Sequence, residues 1–167
     1  MRKGFTLIEL MISIVILSII MVFLYKSYAE LNAQNKKYEQ VSSEIKKFEL
    51  IKEMLFLDIS LSKSKSMTII PLDPKEDIVF FQSAHSIHDR INPYIGYIVK
   101  DQKLYRIESL RPLKSYPIES NIDFDIDLLG DVENFRLYPA TSSKEEYLAD
   151  ISFKQKQRIL IKIKSFS

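Results

Sequence analysis

The chain has 167 residues, of which 24 are Lys or Arg and 22 are Asp or Glu, so its formal net charge is only +2. This balance lacks the basic surface of a nucleic-acid-binding protein, and no nucleic acid is expected as a partner. The absence of cysteine excludes disulfides and thiolate sites, and three glycines cannot build a glycine-rich phosphate loop. The length suits one domain with a core of its own and one long additional element.

A basic leader, Met1 to Gly4, precedes an apolar run from Phe5 to Tyr25. As a helix, this run of 21 residues would span roughly 31 Å, which matches the hydrocarbon core of a bilayer. A secretory signal has a shorter apolar region followed by a cleavage site of small residues, and Met21 to Tyr25 offers no such site. From hydropathy alone, the remaining alternatives are a plain membrane anchor and a buried core helix.

Glu9 favours an anchor that packs against other subunits. An ionised carboxylate at membrane depth costs on the order of 2.5–3.5 kcal/mol, so such residues are rare and usually functional. If the chain is cleaved before Phe5, the new amino group is a cation at a similar depth. The carboxylate of a neighbouring copy could then pair with it, whereas a simple tether has no use for Glu9.

The segment Gly4-Phe5-Thr6-Leu7-Ile8-Glu9-Leu10-Met11 resembles the prepilin motif of type IV pilins and type II secretion pseudopilins. The resemblance implies that a prepilin peptidase cuts after Gly4 and methylates Phe5, and that Glu9 is needed for docking between subunits. It also implies a single-pass anchor in the bacterial inner membrane, with the leader in the cytoplasm. The domain after the anchor would lie in the periplasm, and the mature chain would assemble into a pilus or pseudopilus.

A single helix is predicted from Phe5 to about Ser60, because the first proline is Pro71 and no glycine lies between Gly4 and Gly96. Beyond Tyr25, apolar residues recur at helical spacing and form one stripe. The members of this stripe are Leu31, Tyr38, Val41, Ile45, Phe48, Ile51, Leu55 and Ile59. We expect a sheet to cover the distal half of the stripe. A partner helix should then cover Tyr38, Val41 and Ile45 in the membrane-proximal half.

The rest of the chain changes to the pattern of short strands after a serine and lysine run at residues 60–66. The predicted strands are Ile78–Phe81, Tyr94–Val99, Lys103–Ile107, Val132–Tyr138 and Arg158–Ile163, with a hairpin turn at Asp101-Gln102. The predicted fold class is therefore α+β, a pilin-like long N-terminal helix packed on an antiparallel β-sheet. The predicted organisation is a leader at 1–4, a membrane and assembly helix at 5–25, an amphipathic helix at 26–60 and a β-rich periplasmic domain at 61–167.

Three further segments are similar to the J-type group of minor pseudopilins. These segments are Leu55-Phe56-Leu57-Asp58-Ile59, the Gly96-Tyr97 and Leu104-Tyr105-Arg106 pair, and Val132-x-x-Phe135-x-Leu137-Tyr138. The tryptophan usual in a late strand of that group is absent, and Tyr147 is its candidate replacement. The similarity implies a minor subunit near the fibre tip, with I-type and K-type subunits as partners. The alternatives are a minor or major subunit of a type IV pilus for adhesion, motility or DNA uptake, and a binding module on a pilin-like anchor.

The two histidines, His85 and His88, are the first candidates for a chemical site. Their spacing could place both on one helical face as metal ligands, but they lie in a loop-like run without cysteine. We expect them to be solvated loop histidines. No combination of nucleophile, base and orienting group stands out, so neither catalysis, a metal nor another cofactor is expected.

The acidic cluster Asp123, Asp125, Asp127 and Asp131 could offer oxygen ligands to calcium. The spacing does not fit an EF-hand loop, because Gly130 stands at position eight from Asp123 rather than at position six. We expect instead a strand with a solvated acidic face. In that arrangement the apolar residues in between point inward; they are Phe124, Ile126 and Leu128.

Overall fold

The computed structural model describes residues 6–63, 66–141, 145–154 and 157–166. The secondary-structure elements are α1 (Leu7–Ser60), β1 (Thr68–Asp73), β2 (Glu76–Gln82), β3 (Tyr94–Lys100), β4 (Lys103–Ser109), β5 (Phe124–Pro139), β6 (Glu146–Phe153) and β7 (Arg158–Lys164). The chain divides into two compact units, Met1–Phe48 and Glu49–Ser167, which are called the first and second unit below. Each is described by itself.

Among the described residues of the first unit, helix α1 runs from Leu7 to Phe48, and its apolar side chains from Leu7 to Tyr25 are exposed. In the described part of the chain, α1 is the one helix long and apolar enough to cross a membrane, by length and composition. Ser13 and Ser18 donate hydrogen bonds of 2.8 Å to the carbonyls four residues earlier. These two hydroxyls within the apolar run are therefore satisfied inside the helix.

Helix α1 ends at Ser60, which confirms the predicted end. The amide of Leu61 still donates to the carbonyl of Leu57 at 3.0 Å. The next residue, Ser62, donates twice to the carbonyl of Ile59, from its amide at 3.1 Å and from its hydroxyl at 2.6 Å. The serine side chain thus satisfies one of the carbonyls that every helix end leaves without a helical partner.

The seven strands form one sheet in sequential order from β1 to β7, and each strand pairs with its neighbour in antiparallel orientation. All five predicted strands are confirmed, and so is the hairpin, whose turn residues Asp101 and Gln102 have φ values of 52° and 59°. The sequence prediction missed β1 and β6. Strand β1 carries Pro71 at the sheet edge, and β6 contains Glu, Ala and Asp, which are poor strand formers.

The strand expected at the acidic cluster and the predicted strand Val132–Tyr138 are parts of one strand of 16 residues, β5, which contains Asp125, Asp127 and Asp131 and begins just after Asp123. The predicted orientation of its first half was wrong, because Ile126 and Leu128 are 56% and 52% exposed. The carboxylates between them, Asp125 and Asp127, lie on the other face of the sheet, where they pair with Arg90 and His88. Ion pairing therefore decides which face of this strand is turned inward, and alternation alone cannot reveal it.

The sheet has an inner face that packs against the last turns of α1 and an outer face that the segment 110–122 covers in part. From α1, the side chains of Ile51, Leu55 and Ile59 are buried. Three aromatic rings on the inner face stack in a row, with Tyr97 placed 6.2 Å from Phe81 and 5.9 Å from Phe135 between ring centroids. The outer face has its own cluster, formed by Ile78, Phe80, Ile98, Ile107 and Leu113. The fold class is therefore the predicted α+β arrangement of one long helix on an antiparallel sheet.

Candidate assembly site

The N-terminus of α1 is held by a reciprocal cap between Thr6 and Glu9. The carboxylate of Glu9 accepts hydrogen bonds from the backbone amide of Thr6 at 2.9 Å and from its hydroxyl at 2.8 Å. In return, the amide of Glu9 donates to the Thr6 hydroxyl at 3.4 Å. This is a capping box, and it satisfies donors that a helix start leaves without partners. Within one chain, the charge of Glu9 is therefore hydrogen-bonded to its own helix. The predicted cleavage and methylation residues, Gly4 and Phe5, lie outside the described residues.

The apolar stripe of α1 is divided between the two units. Its distal members, Ile51, Leu55 and Ile59, are buried in the core of the second unit. In the first unit, Tyr38, Val41 and Ile45 are 73%, 46% and 52% exposed. The stripe thus presents exposed apolar side chains in the first unit. Glu9 and these three residues lie at different heights on the same helix, so they do not form one compact site.

A buried ionic network fixes the last turns of α1 to the inner face of the sheet. The carboxylate of Asp58 accepts hydrogen bonds from the Tyr97 hydroxyl at 2.6 Å and from Arg106 Nε at 2.8 Å. Arg106 also donates from Nη2 to Asp58 at 3.2 Å and from Nη1 to Glu108 at 2.7 Å. Asp58, Arg106 and Glu108 are all inaccessible to solvent. One guanidinium therefore neutralises two buried carboxylates, one from the helix and one from β4.

The protonation of this network follows from competition between burial and charge. Burial opposes ionisation of Arg106, but the hydrogen bonds and charge of Asp58 outweigh it and raise the pKa of the guanidinium above its usual value. Burial likewise opposes the charge of Glu108, but hydrogen bonds from Ser86 and Arg106 outweigh it and lower the pKa of that carboxyl. Burial, together with the charge of Asp58, raises the pKa of Tyr97 well above its usual value. Arg106 and Glu108 are therefore charged, and Tyr97 is neutral, over the physiological pH range.

The loop between β2 and β3 contacts the network through His85 and Ser86. Its two histidines are hydrogen-bonded to carboxylates, so the expectation of simply solvated histidines was wrong. His85 Nδ1 lies 2.6 Å from Asp58, and His88 Nε2 lies 2.9 Å from Asp127. Arg90 donates to Asp125 at 3.0 Å and 2.5 Å. Each of the two histidines and Arg90 therefore finds a carboxylate, because the loop lies against the acidic positions of α1 and β5. In the described ranges, no group of three or more His, Asp or Glu side chains could hold a metal ion.

Sequence reasoning missed this network, although one signal was available. Asp58 lies between Leu55 and Ile59 on the face of α1 that the stripe assigns to the core. A carboxylate at such a position requires a cationic partner from the sheet, since an unpaired buried charge is strongly unfavourable. Arg106 could have been identified as that partner, because it lies on the same face of the predicted strand Lys103–Ile107 as the apolar Leu104.

Comparison with known proteins identifies the N-terminal segment. A prokaryotic N-terminal methylation motif matches residues 1–25. No curated protein and no solved structure matches the chain. The motif, together with the long apolar helix, supports the type IV pilin and pseudopilin family, and it implies processing by a prepilin peptidase and assembly with other pilin subunits. Proteins of that family are structural subunits rather than enzymes.

Proposed function

We propose that this chain, pilin-like by its methylation motif and apolar helix, is a minor subunit of a type II secretion pseudopilus and lies near the fibre tip. The N-terminal segment would span the inner membrane once, with the second unit in the periplasm, until the mature chain enters the fibre. The observation that carries the proposal is the methylation motif joined to an apolar helix whose side chains are exposed from Leu7 to Tyr25.

The J-type position is supported by the way the three similar segments meet in the second unit. Asp58 comes from the first segment, while Tyr97 and Arg106 come from the second, and the three are joined by hydrogen bonds. Phe135, from the third segment, stacks on Tyr97. The residues that carry the similarity therefore have a shared structural role. On this proposal, the partners are I-type and K-type minor subunits.

The partner-helix surface is proposed at Tyr38, Val41 and Ile45, which are exposed while the distal stripe is buried. Burial of these three side chains on assembly would contribute several kcal/mol at roughly 25 cal/mol per Å², before the entropic cost of association. Glu9 would meanwhile exchange part of its cap with Thr6 for the amino group of Phe5 on a neighbouring subunit.

The experiment that tests the position uses the full-length chain with an epitope tag in its native host. Antibody labelling of sheared fibres should mark fibre ends only. The Val41→Asp variant should be processed normally but be lost from fibres, because a charge then enters the apolar contact. Ser43→Asp is the matched control, since it lies roughly 200° around the helix from Val41 and adds the same charge.

Either of two outcomes would contradict the proposal. Labelling along the whole fibre length would make the chain a major subunit. Equal assembly of the Val41→Asp and Ser43→Asp variants would remove Val41 from any interface, while leaving the family assignment untouched.

A further inference from the structure

A groove of about 450 Å³ lies on the outer face of the sheet in the second unit, on the side opposite α1. Its floor is formed by side chains of the three central strands β3, β4 and β5, namely Ile98, Tyr105, Ile107, Phe124 and Ile126. Its wall is the segment 116–118, and Leu128 lies beside it, opposite Tyr105 in the sheet. A volume of this size is typical of pockets for small molecules.

One cation, Lys100, is the single charged residue that lines the groove. In the part of the chain that the structure describes, its ammonium group has no ion-pair partner. No carboxylate is among the lining residues. A ligand with an anionic group near Lys100 and an apolar body over the floor would therefore complement the groove in charge and polarity.

The strands that form the floor offer little to a peptide. The floor is one face of the sheet, where the strands present side chains, while their backbone donors and acceptors lie in the plane of the sheet, in the β3–β4 and β4–β5 ladders. A peptide laid on this floor would bury its own amides without partners, and that burial is costly. An alkyl chain has no such groups. We propose that the outer-face groove binds a single-chain amphiphile with a carboxylate head, of the fatty-acid type, with Lys100 at the head and Ile126 beneath the chain.

The test uses the full-length chain in nanodiscs of zwitterionic lipid. Because the protein contains no cysteine, Leu128→Cys gives a single site for an environment-sensitive fluorophore beside the groove. Leu72→Cys, at a similarly exposed position on β1, reports any partition of the probe into the lipid. The probes are octanoate and octyltrimethylammonium, which share a chain length and differ in the sign of the head-group charge.

Octanoate should produce a saturable blue shift at position 128 and none at position 72. Lys100→Glu should weaken the octanoate response at least about tenfold, because it places two like charges together. Lys75→Glu is the matched control, since this exposed turn residue does not line the groove, and it should leave the response unchanged.

Three results with these two probes would overturn the proposal. They are no response to octanoate at position 128, equal responses to octanoate and octyltrimethylammonium, and an unchanged affinity in Lys100→Glu. A label at position 128 that shifts only when other fibre subunits are added would assign the groove to a protein partner and would also overturn it.

Discussion

At the scale of single residues, the most consequential side chain is Arg106. It is inaccessible to solvent and holds two carboxylates, Asp58 on α1 and Glu108 on its own strand. Buried ion pairs add little stability relative to well-packed apolar residues, but removing one partner leaves a buried charge without compensation. Loss of Arg106 alone should therefore destabilise the packing of the helix on the sheet.

Replacing Arg106 with methionine should lower the free energy of unfolding by about 3–5 kcal/mol, because Asp58 and Glu108 would remain buried without their cation. The measurement is denaturant unfolding in detergent, followed by the near-ultraviolet circular dichroism of tyrosine, since the chain contains no tryptophan. Arg158→Met is the matched control. Arg158 pairs with Asp150 at the surface, so its loss should leave stability nearly unchanged. A similar loss in both variants would contradict the special role of Arg106.

His88 makes the same unit sensitive to pH. Its hydrogen bond to Asp127, followed by the charges of Asp127, Asp125 and Glu108, outweighs burial and raises the pKa of the imidazole above its usual value. A raised folded-state pKa stabilises the protein fully below the unfolded value of about 6.5. That contribution is lost as the pH rises through the folded-state value.

The His88→Gln variant should therefore lose stability at about pH 5.5 and lose much less at about pH 8.5. Unfolding of both proteins at the two pH values measures the difference. A nuclear magnetic resonance titration, in which the variant assigns the His88 signal, should give a midpoint above about 6.5. Equal stability losses at the two pH values would refute the link to ionisation.

At the scale of elements, close packing between β2 and β3 depends on a missing side chain. Gly96 lies opposite Phe80 in the β2–β3 ladder. A Cβ atom added at Gly96 would lie 2.9 Å from Phe80 Cε1 and 3.0 Å from Phe80 Cδ1. Phe80 belongs to the buried outer-face cluster, so its ring has little room to move.

The Gly96→Ala variant should be less stable by about 1–3 kcal/mol, the usual cost of overpacking, in spite of the smaller backbone entropy of its unfolded chain. Adding Phe80→Leu should recover part of this loss, because the smaller side chain makes room for the new methyl group. A double-mutant cycle from denaturant unfolding measures the coupling. Strictly additive losses would show that the Phe80 ring does not limit position 96.

At the scale of the whole molecule, the two units have different tasks. The first unit exposes apolar side chains from Leu7 to Ile45, and the second has a buried core around the sheet. The exposed apolar surface of the first unit is stable only in lipid or against other subunits. Glu9 is the charged residue within the apolar part of that surface, so it should report on the step from lipid to fibre.

Glu9→Leu should remain inserted and processed, because removal of the carboxylate lowers the cost of residence in the membrane. The variant should fail to enter fibres, since the attraction to the amino group of Phe5 on a neighbouring subunit is lost. Mass spectrometry of the membrane fraction checks processing, and immunoblotting of sheared fibres checks assembly. Glu9→Asp, which keeps the charge but shortens its reach, should restore assembly in part. Recovery of Glu9→Leu in fibres at the normal level would show that the carboxylate has no role.

The features that sequence predicted and those it missed differ in the range of the interactions that set them. The long helix, its end near Ser60 and the β3–β4 hairpin depend on local signals, namely periodicity, the absence of proline and turn residues. The orientation of Ile126 and the environment of His85 depend on partners far away in the chain. Asp58 and His85, for example, are brought together by the fold, and no local pattern encodes that contact. The exposure of Tyr38, Val41 and Ile45 could be predicted because one sheet covers only the distal half of the stripe. Their role at an interface remains a prediction.

The attachment of Asp58 to the central strands determines how the second unit would bear mechanical force. A pull along α1 arrives at its last turns, where Tyr97 on β3 and Arg106 on β4 hold the carboxylate. Tyr97 and Arg106 are each paired with neighbouring strands on both sides, so a load on Asp58 would be shared among several ladders instead of falling on an edge strand. The buried ion pair between Asp58 and Arg106 therefore lies at the point where a force along α1 would reach the sheet. Single-molecule pulling should show this as a lower rupture force for Asp58→Asn than for the unchanged protein.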